Sequence, residues 1–199
     1  MRLIFFCPAV LLFLGLSSCR KACDTVTHKP VLSAAAAAWK ADSSGSAFRM
    51  ALDSTERIFY NTGTRTDWYY PEREEPCHDL YLTVYDRYVY DADSLKLEYR
   101  IEKNDLSGER VRVWLAGAEL SAPLGSSSGS ITVPQPDGSK PLVTHQQLDS
   151  LVIDSVVYRP VNVLELLSSS PDPLRVYITP HWGVVRFELT NGSYWNRQR

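Results

Sequence analysis

Between residues 95 and 102 the chain alternates without a break, setting Leu95, Leu97, Tyr99 and Ile101 against Lys96, Glu98, Arg100 and Glu102. A period of two sends successive side chains to opposite faces of an extended strand; a helix would need a period near 3.6. After a turn around Gly108, Val111, Val113 and Leu115 repeat the pattern. The spacing predicts an antiparallel hairpin of Leu95–Glu102 with Arg110–Leu115, one face against a core and the other facing water. Glu98 and Glu102 then share the wet face. Four residues at roughly 3.3 Å each put them roughly 13 Å apart. That exceeds the about 5–9.5 Å of a glycosidase carboxylate couple, so they read as a solvated face.

Strand signals fill the rest of the second half. Leu80 to Tyr90 is rich in Tyr, Val and Leu, and 91–94 turns it. Leu148 to Arg159 is apolar on both parities, which predicts one strand covered on both sides. Val161 to Leu167 resumes after Pro160. Arg175–Thr179 and Val184–Leu189 flank a tight turn at 180–183, with Val185, Phe187 and Leu189 on one face. Asn191-Gly192 is a hairpin turn signal, and Ser193-Tyr194-Trp195 starts a last short strand. Helix signals are few: the alanine run within Leu32–Lys40 and a small helix or turn at His145–Gln147. The expected fold is mainly β, an antiparallel sheet or curved sandwich-like domain with one or two short helices. Gly125–Ser130 and the prolines at 134, 136 and 141 mark either an internal loop or a seam between two lobes near 121–142. Phe48–Tyr60 declares neither helix nor strand.

The first sixteen residues are almost wholly apolar after Arg2, too few to span a bilayer, which takes about 20. They read as a secretory leader. Leu16-Ser17-Ser18-Cys19 resembles the bacterial lipoprotein signal, with an apolar residue three before the cysteine and small residues ahead of it. The resemblance implies cleavage after residue 18, lipid on Cys19, a tether over 19–31 and one β-rich domain over 32–199. Loss of Arg2 shifts the net charge from −2 to −3. Arg20 stands where an aspartate would favour retention at the inner membrane, so the resemblance points to the outer membrane. Cys23 and Cys77 remain, and an oxidising compartment permits either a disulfide or two separate thiols.

The near-neutral charge gives no reason to expect nucleic acid. The histidines are His28, His78, His145 and His181. They form no HExxH arrangement, and Cys23, His28, Cys77 and His78 lack the close pairs of a metal site. No nucleophile elbow, phosphate loop or dinucleotide fingerprint is present, so no cofactor, metal or catalytic residue is expected. Ser126–Ser130 sit in a stretch unsuited to holding a nucleophile, and His181 reads as a packed turn residue. The aromatic run Trp68, Tyr69 and Tyr70 is the candidate binding strip, since such rings stack on sugars or partners; filling a core is their bland role.

The C-terminal pieces Tyr177, Gly183-Val184-Val185, Phe187-Glu188, Asn191-Gly192 and Trp195, with Tyr158 and Val161-Asn162-Val163 upstream, resemble uncharacterised Bacteroidetes envelope lipoproteins. Those proteins end in a strand, a tight turn around Gly-Leu-Val, an outgoing strand and Asn-Gly or Asp-Gly before tryptophan. Ile178 and Val184 depart from that pattern. The resemblance implies an antiparallel envelope protein and carries no catalytic residues. The expected function is a lipid-anchored, non-catalytic envelope protein with a binding or structural role. The alternatives are a glycan- or lipid-binding module using an aromatic-lined sheet face, and a hydrolase with an unrecognised site. The expected partners are the membrane, through Cys19, and a glycan, lipid or envelope protein.

Overall fold

The hairpin forms where the alternation puts it, with Leu95–Asn104 paired antiparallel to Gly108–Leu115. The computed structural model describes residues 27–41, 47–50, 60–69, 80–81, 83–92, 95–167 and 173–198. In chain order the elements are β1 (Thr27–His28), α1 (Ala34–Ala37), β2 (Ala47–Met50), β3 (Tyr60–Tyr69), β4 (Leu80–Tyr81), β5 (Thr83–Ala92), β6 (Leu95–Asn104), β7 (Gly108–Leu115) and β8 (Ala118–Pro123). They continue as β9 (Ser128–Thr132), β10 (Leu142–Leu148), β11 (Leu151–Ile153), β12 (Val156–Tyr158), β13 (Val161–Leu166), β14 (Leu174–Thr179), β15 (Gly183–Glu188) and β16 (Tyr194–Gln198). The protein is therefore mainly β and antiparallel. None of the described helical residues forms a span long and apolar enough to cross a membrane.

Two sheets carry the fold. One runs β3-β5-β6-β7-β8, a meander from β5 onward; the other runs β2-β16-β15-β14-β13-β10-β9. Most neighbours in the sheets are also neighbours in sequence, as short hairpin connections dictate. β3 pairs with β5 and β10 with β13 across short insertions, and the long-range exception is β2, which pairs with the last strand, Trp195 opposite Met50. The segment 121–142 is where the chain passes from the first sheet to the second. Within it, Ser128–Thr132 is a strand paired to β10, although its composition reads as a loop.

One apolar layer lies between the sheets. Tyr99, Ile101 and Val113 come from the five-stranded sheet, and Leu164, Val176 and Phe187 from the seven-stranded one, all wholly or nearly wholly buried in a single cluster. Phe187 stacks on Trp195 at 5.8 Å between ring centroids and 15° between planes. A bulge between Tyr177 and Ile178 changes the facing of β15: Tyr177 opposes Arg186 and Ile178 opposes Val184, so Val185 has no partner in the register. The extra residue breaks the two-residue period. Val185 therefore leaves the face of Phe187 and joins a second apolar cluster with Val161, Val163, Ile153 and Tyr158.

That second cluster corrects the reading of 148–159 as one strand. Asp154 and Ser155 both have positive φ, 48° and 68°, the conformation of a two-residue hairpin turn. The run folds into the β11–β12 hairpin, Val152 opposite Val157, and lays Ile153 and Tyr158 on the outer face of the large sheet. It is apolar on both parities because the turn exchanges them: odd positions face the sheet in β11 (Ile153) and even ones in β12 (Tyr158), while Val152 and Val157 are exposed.

The outer face of the five-stranded sheet is a second correction. Glu98 and Glu102 are buried, at 7% and 3% exposure. Arg87 and Arg100 each reach Glu98 at 2.6 Å, and Arg110 and Arg112 bracket Glu102 at 3.0 and 3.4 Å. Arg112 also holds Glu119 at 2.6 Å. Arg100 lies over both Tyr85 and Trp114, and Arg112 over Trp114. The long arginine stems roof over the carboxylates while keeping their heads near water. An alternating sequence marks which residues share the outer face; it does not reveal that neighbouring strands supply enough arginine to cover the glutamates.

Candidate functional site, a polar chamber at one end of the sandwich

Inward positions of a sandwich should be apolar, and along β10 and β13 they cease to be. Val143 and Leu164 belong to the main core. His145 shares the parity of Val143 but is polar, as is Gln147 beyond it, paired in register with Asn162. His145 and Asn162 are buried, at 7% and 8% exposure. They line the end of the sandwich nearest α1 and the β8–β9 turn. A cavity of about 180 Å³ opens there, walled by Trp39, Glu109, Ser126, Gln147 and Asn162, with Ala35 and Gly125 exposed at its rim.

Helix α1 forms one wall because both sheets hold it. Four residues cannot sustain a helix alone, since nucleation is unfavourable. Ser33 caps it, accepting from the Ala36 N–H at 3.1 Å. The Glu109 carboxylate accepts from the Ser33 N–H and Oγ–H, both at 2.7 Å. Tyr99 Oη donates to the Trp39 carbonyl at 2.7 Å, and the His181 N–H donates to the Ala38 carbonyl at 2.6 Å. Glu109 and Tyr99 belong to one sheet and His181 to the β14–β15 turn of the other. The alanine run is therefore shorter than Leu32–Lys40 but rigidly placed. His181, expected to be packed, is anchored by its backbone while its side chain is exposed.

Behind Ser126 lies His145. Ser126 Oγ lies 3.1 Å from His145 Nε2 and 3.2 Å from the Ser128 carbonyl oxygen. His145 Nδ1 has no hydrogen-bond partner, and neither has Asn162 Oδ1. The base of a serine nucleophile is in turn oriented by a third group, and none holds His145 Nδ1. The imidazole lies flat against the edge strand: a Cβ at Gly129 would meet its Cε1 at 2.8 Å.

Charge in this end of the molecule is tuned by burial and pairing. Burial holds the His145 pKa below its usual 6.5. Burial also opposes ionisation of Glu109, but the bonds from Ser33, with Lys103 nearby, outweigh it and keep its pKa below 4.5. Glu98 behaves likewise, burial being overcome by Arg87 and Arg100. All three groups bind protons more weakly folded than unfolded. Stability is therefore full near neutral pH and falls with acid. The His145 contribution is lost as pH drops below about 6.5 through its lowered pKa, and the carboxylate contributions below about 4.5. Urea midpoints measured from pH 8 to pH 3 should show both declines, and His145→Asn should lack the first while keeping the second. A flat profile down to pH 4 would contradict the assignment.

The residues singled out from the sequence fall elsewhere. Trp68 and Tyr69 lie on β3, the edge strand of the five-stranded sheet, opposite Val84 and Thr83. Trp68 heads a cross-strand row that continues through Val84 and Lys103 to Glu109. Three strand spacings of about 4.8 Å separate its backbone from that of Glu109. Tyr70, Cys19, Cys23 and Cys77 lie outside the described residues, as does the leader. Among the described residues no three His, Cys, Asp or Glu side chains gather as a metal site would require. Trp39, Glu109, Gln147 and Asn162 escaped the sequence reading. The available signal was polar residues at inward parity, Val143-x-His145-x-Gln147, which read instead as a turn. No protein-family model, curated protein or solved structure matches the chain.

Proposed function

We propose that the chain is a lipid-anchored, non-catalytic binding module of the cell envelope whose chamber takes a small, neutral, polar ligand. Cys19 carries the anchor, by resemblance to the lipoprotein signal, and Arg20 favours the outer membrane. The single observation that carries the binding role is the cavity of about 180 Å³ where the sandwich core turns polar, lined by Trp39 together with Glu109, Ser126, Gln147 and Asn162. Aromatic and polar groups converging on one small cleft are the usual make-up of a ligand site. The lack of any group orienting His145 Nδ1 favours binding over hydrolysis. This site replaces the Trp68–Tyr70 strip as the leading ligand surface.

The test is backbone and side-chain NMR on the full chain in detergent, titrated separately with glucose, glycerol and acetamide. Shifts concentrated at Trp39, Gln147 and Asn162 are expected with at least one of them. Shifts absent, or scattered away from the chamber, sink the reading. In parallel, azido-palmitate fed to a Gram-negative host should label the wild-type chain and leave Cys19→Ser unlabelled.

A further inference from the structure

We infer that the chamber's ligand is a single pyranose ring, the terminal sugar of a longer glycan. The inference rests on the binding role proposed above and narrows it to one ligand class. Pyranoses present an apolar C–H face and a rim of hydroxyls. The chamber is built the same way. Trp39 supplies an aromatic wall, and rings of this kind offer rigid apolar area with little entropy cost. Ala36 and Leu124 add further apolar wall, and the polar lining comes from Gln147 and Asn162 on adjacent strands, Ser126 in the turn, and Glu109. The two amides can both donate and accept.

Size and charge exclude other classes. The cavity of about 180 Å³ falls short of the roughly 300–1,000 Å³ of drug-sized pockets, which favours a single ring over a lipid chain or a peptide. An anionic ligand would face the Glu109 carboxylate. A cationic one would compete with Lys103, whose Nζ already stands 3.7 Å from Glu109 Oε1. Because Ala35 and Gly125 leave the rim open to solvent, a chain attached to the bound ring can continue outward. The chamber therefore reads an end of a glycan, not its middle.

The experiment is calorimetric titration of the full chain with glucose, galactose, mannose and N-acetylglucosamine, with glycerol and acetamide as acyclic and amide comparisons. At least one pyranose should bind at least tenfold more tightly than either comparison. Asn162→Ala should weaken that sugar about tenfold. Trp39→Ala should remove measurable binding, and Trp39→Phe should keep part of it. Melting curves establish that each variant is folded. If Trp39→Ala does not fold, Gln147→Ala and Trp39→Phe carry the comparison. Binding of glycerol or acetamide at the chamber with no pyranose preference overturns the sugar and leaves the binding role standing. Failure of every compound overturns both. Sugar binding unchanged in all the chamber variants moves the site elsewhere and also overturns the proposal.

Discussion

Phe187→Ala should lower the unfolding free energy by about 3–5 kcal/mol, the range for removing a large aromatic from a packed core. Phe187 is fully buried at the centre of the inner face of the large sheet. It opposes Val176 on one side and Trp195 on the other, and stacks on the latter. Truncation removes the stack, opens a void between two sheets and leaves Trp195 with one face unsupported. Because the sheets meet only through side chains, neither can slide in to fill the gap without moving a whole ladder of hydrogen bonds. For a domain of this length each kcal/mol shifts the melting temperature by about 2–4 °C, so a fall of roughly 6–20 °C is expected. Urea denaturation followed by Trp fluorescence reads it directly. A change below 1 kcal/mol would mean that the two sheets do not share a core.

Gly183→Ala should be nearly as damaging although it adds only a methyl group. Gly183 closes the β14–β15 turn at φ 67°, a left-handed conformation that costs an L-residue about 1–2 kcal/mol. The added Cβ would also sit 2.7 Å from Ala41 Cβ and 3.2 Å from Ala41 Cα. Ala41 follows the α1 segment, so its backbone cannot retreat without dragging Trp39 from the chamber wall. Strain and clash together should cost about 2–4 kcal/mol. A melting curve checks the magnitude. An Ala41→Gly background should restore part of the loss by removing the atom struck, and no restoration would show that the cost lies in the turn alone.

These two residues also show what was readable in the chain. Two-residue alternation located β6, β7, β14 and β15 and the antiparallel class, because it records one face against apolar neighbours and one against water. It misjudged Val185, since a bulge is one extra residue with no mark in the pattern. It misjudged 148–159, since a two-residue turn of Asp154 and Ser155 looks like continued strand when both flanks are apolar. The glutamates of β6 were placed on the correct face but with the wrong solvation, because all their covering arginines except Arg100 come from β5 and β7. The chamber was least legible of all. Trp39, Glu109, Gln147 and Asn162 come from four elements spread over more than a hundred residues, and only the sheet order brings them together. Ser126 and His145 were visible as residue types, but their approach to 3.1 Å exists only in the folded arrangement.

The pairing of β2 with β16 has a consequence in time. Ala47–Met50 emerges early in synthesis, yet its partner Tyr194–Gln198 arrives almost 150 residues later. Until then one edge of the large sheet has no strand to zip onto, and Phe187 has no Trp195 to cover it. Non-local pairing of this kind delays the main folding step. The large sheet therefore gains its last edge, and Phe187 its stacking partner, only once the C-terminal strand has been delivered.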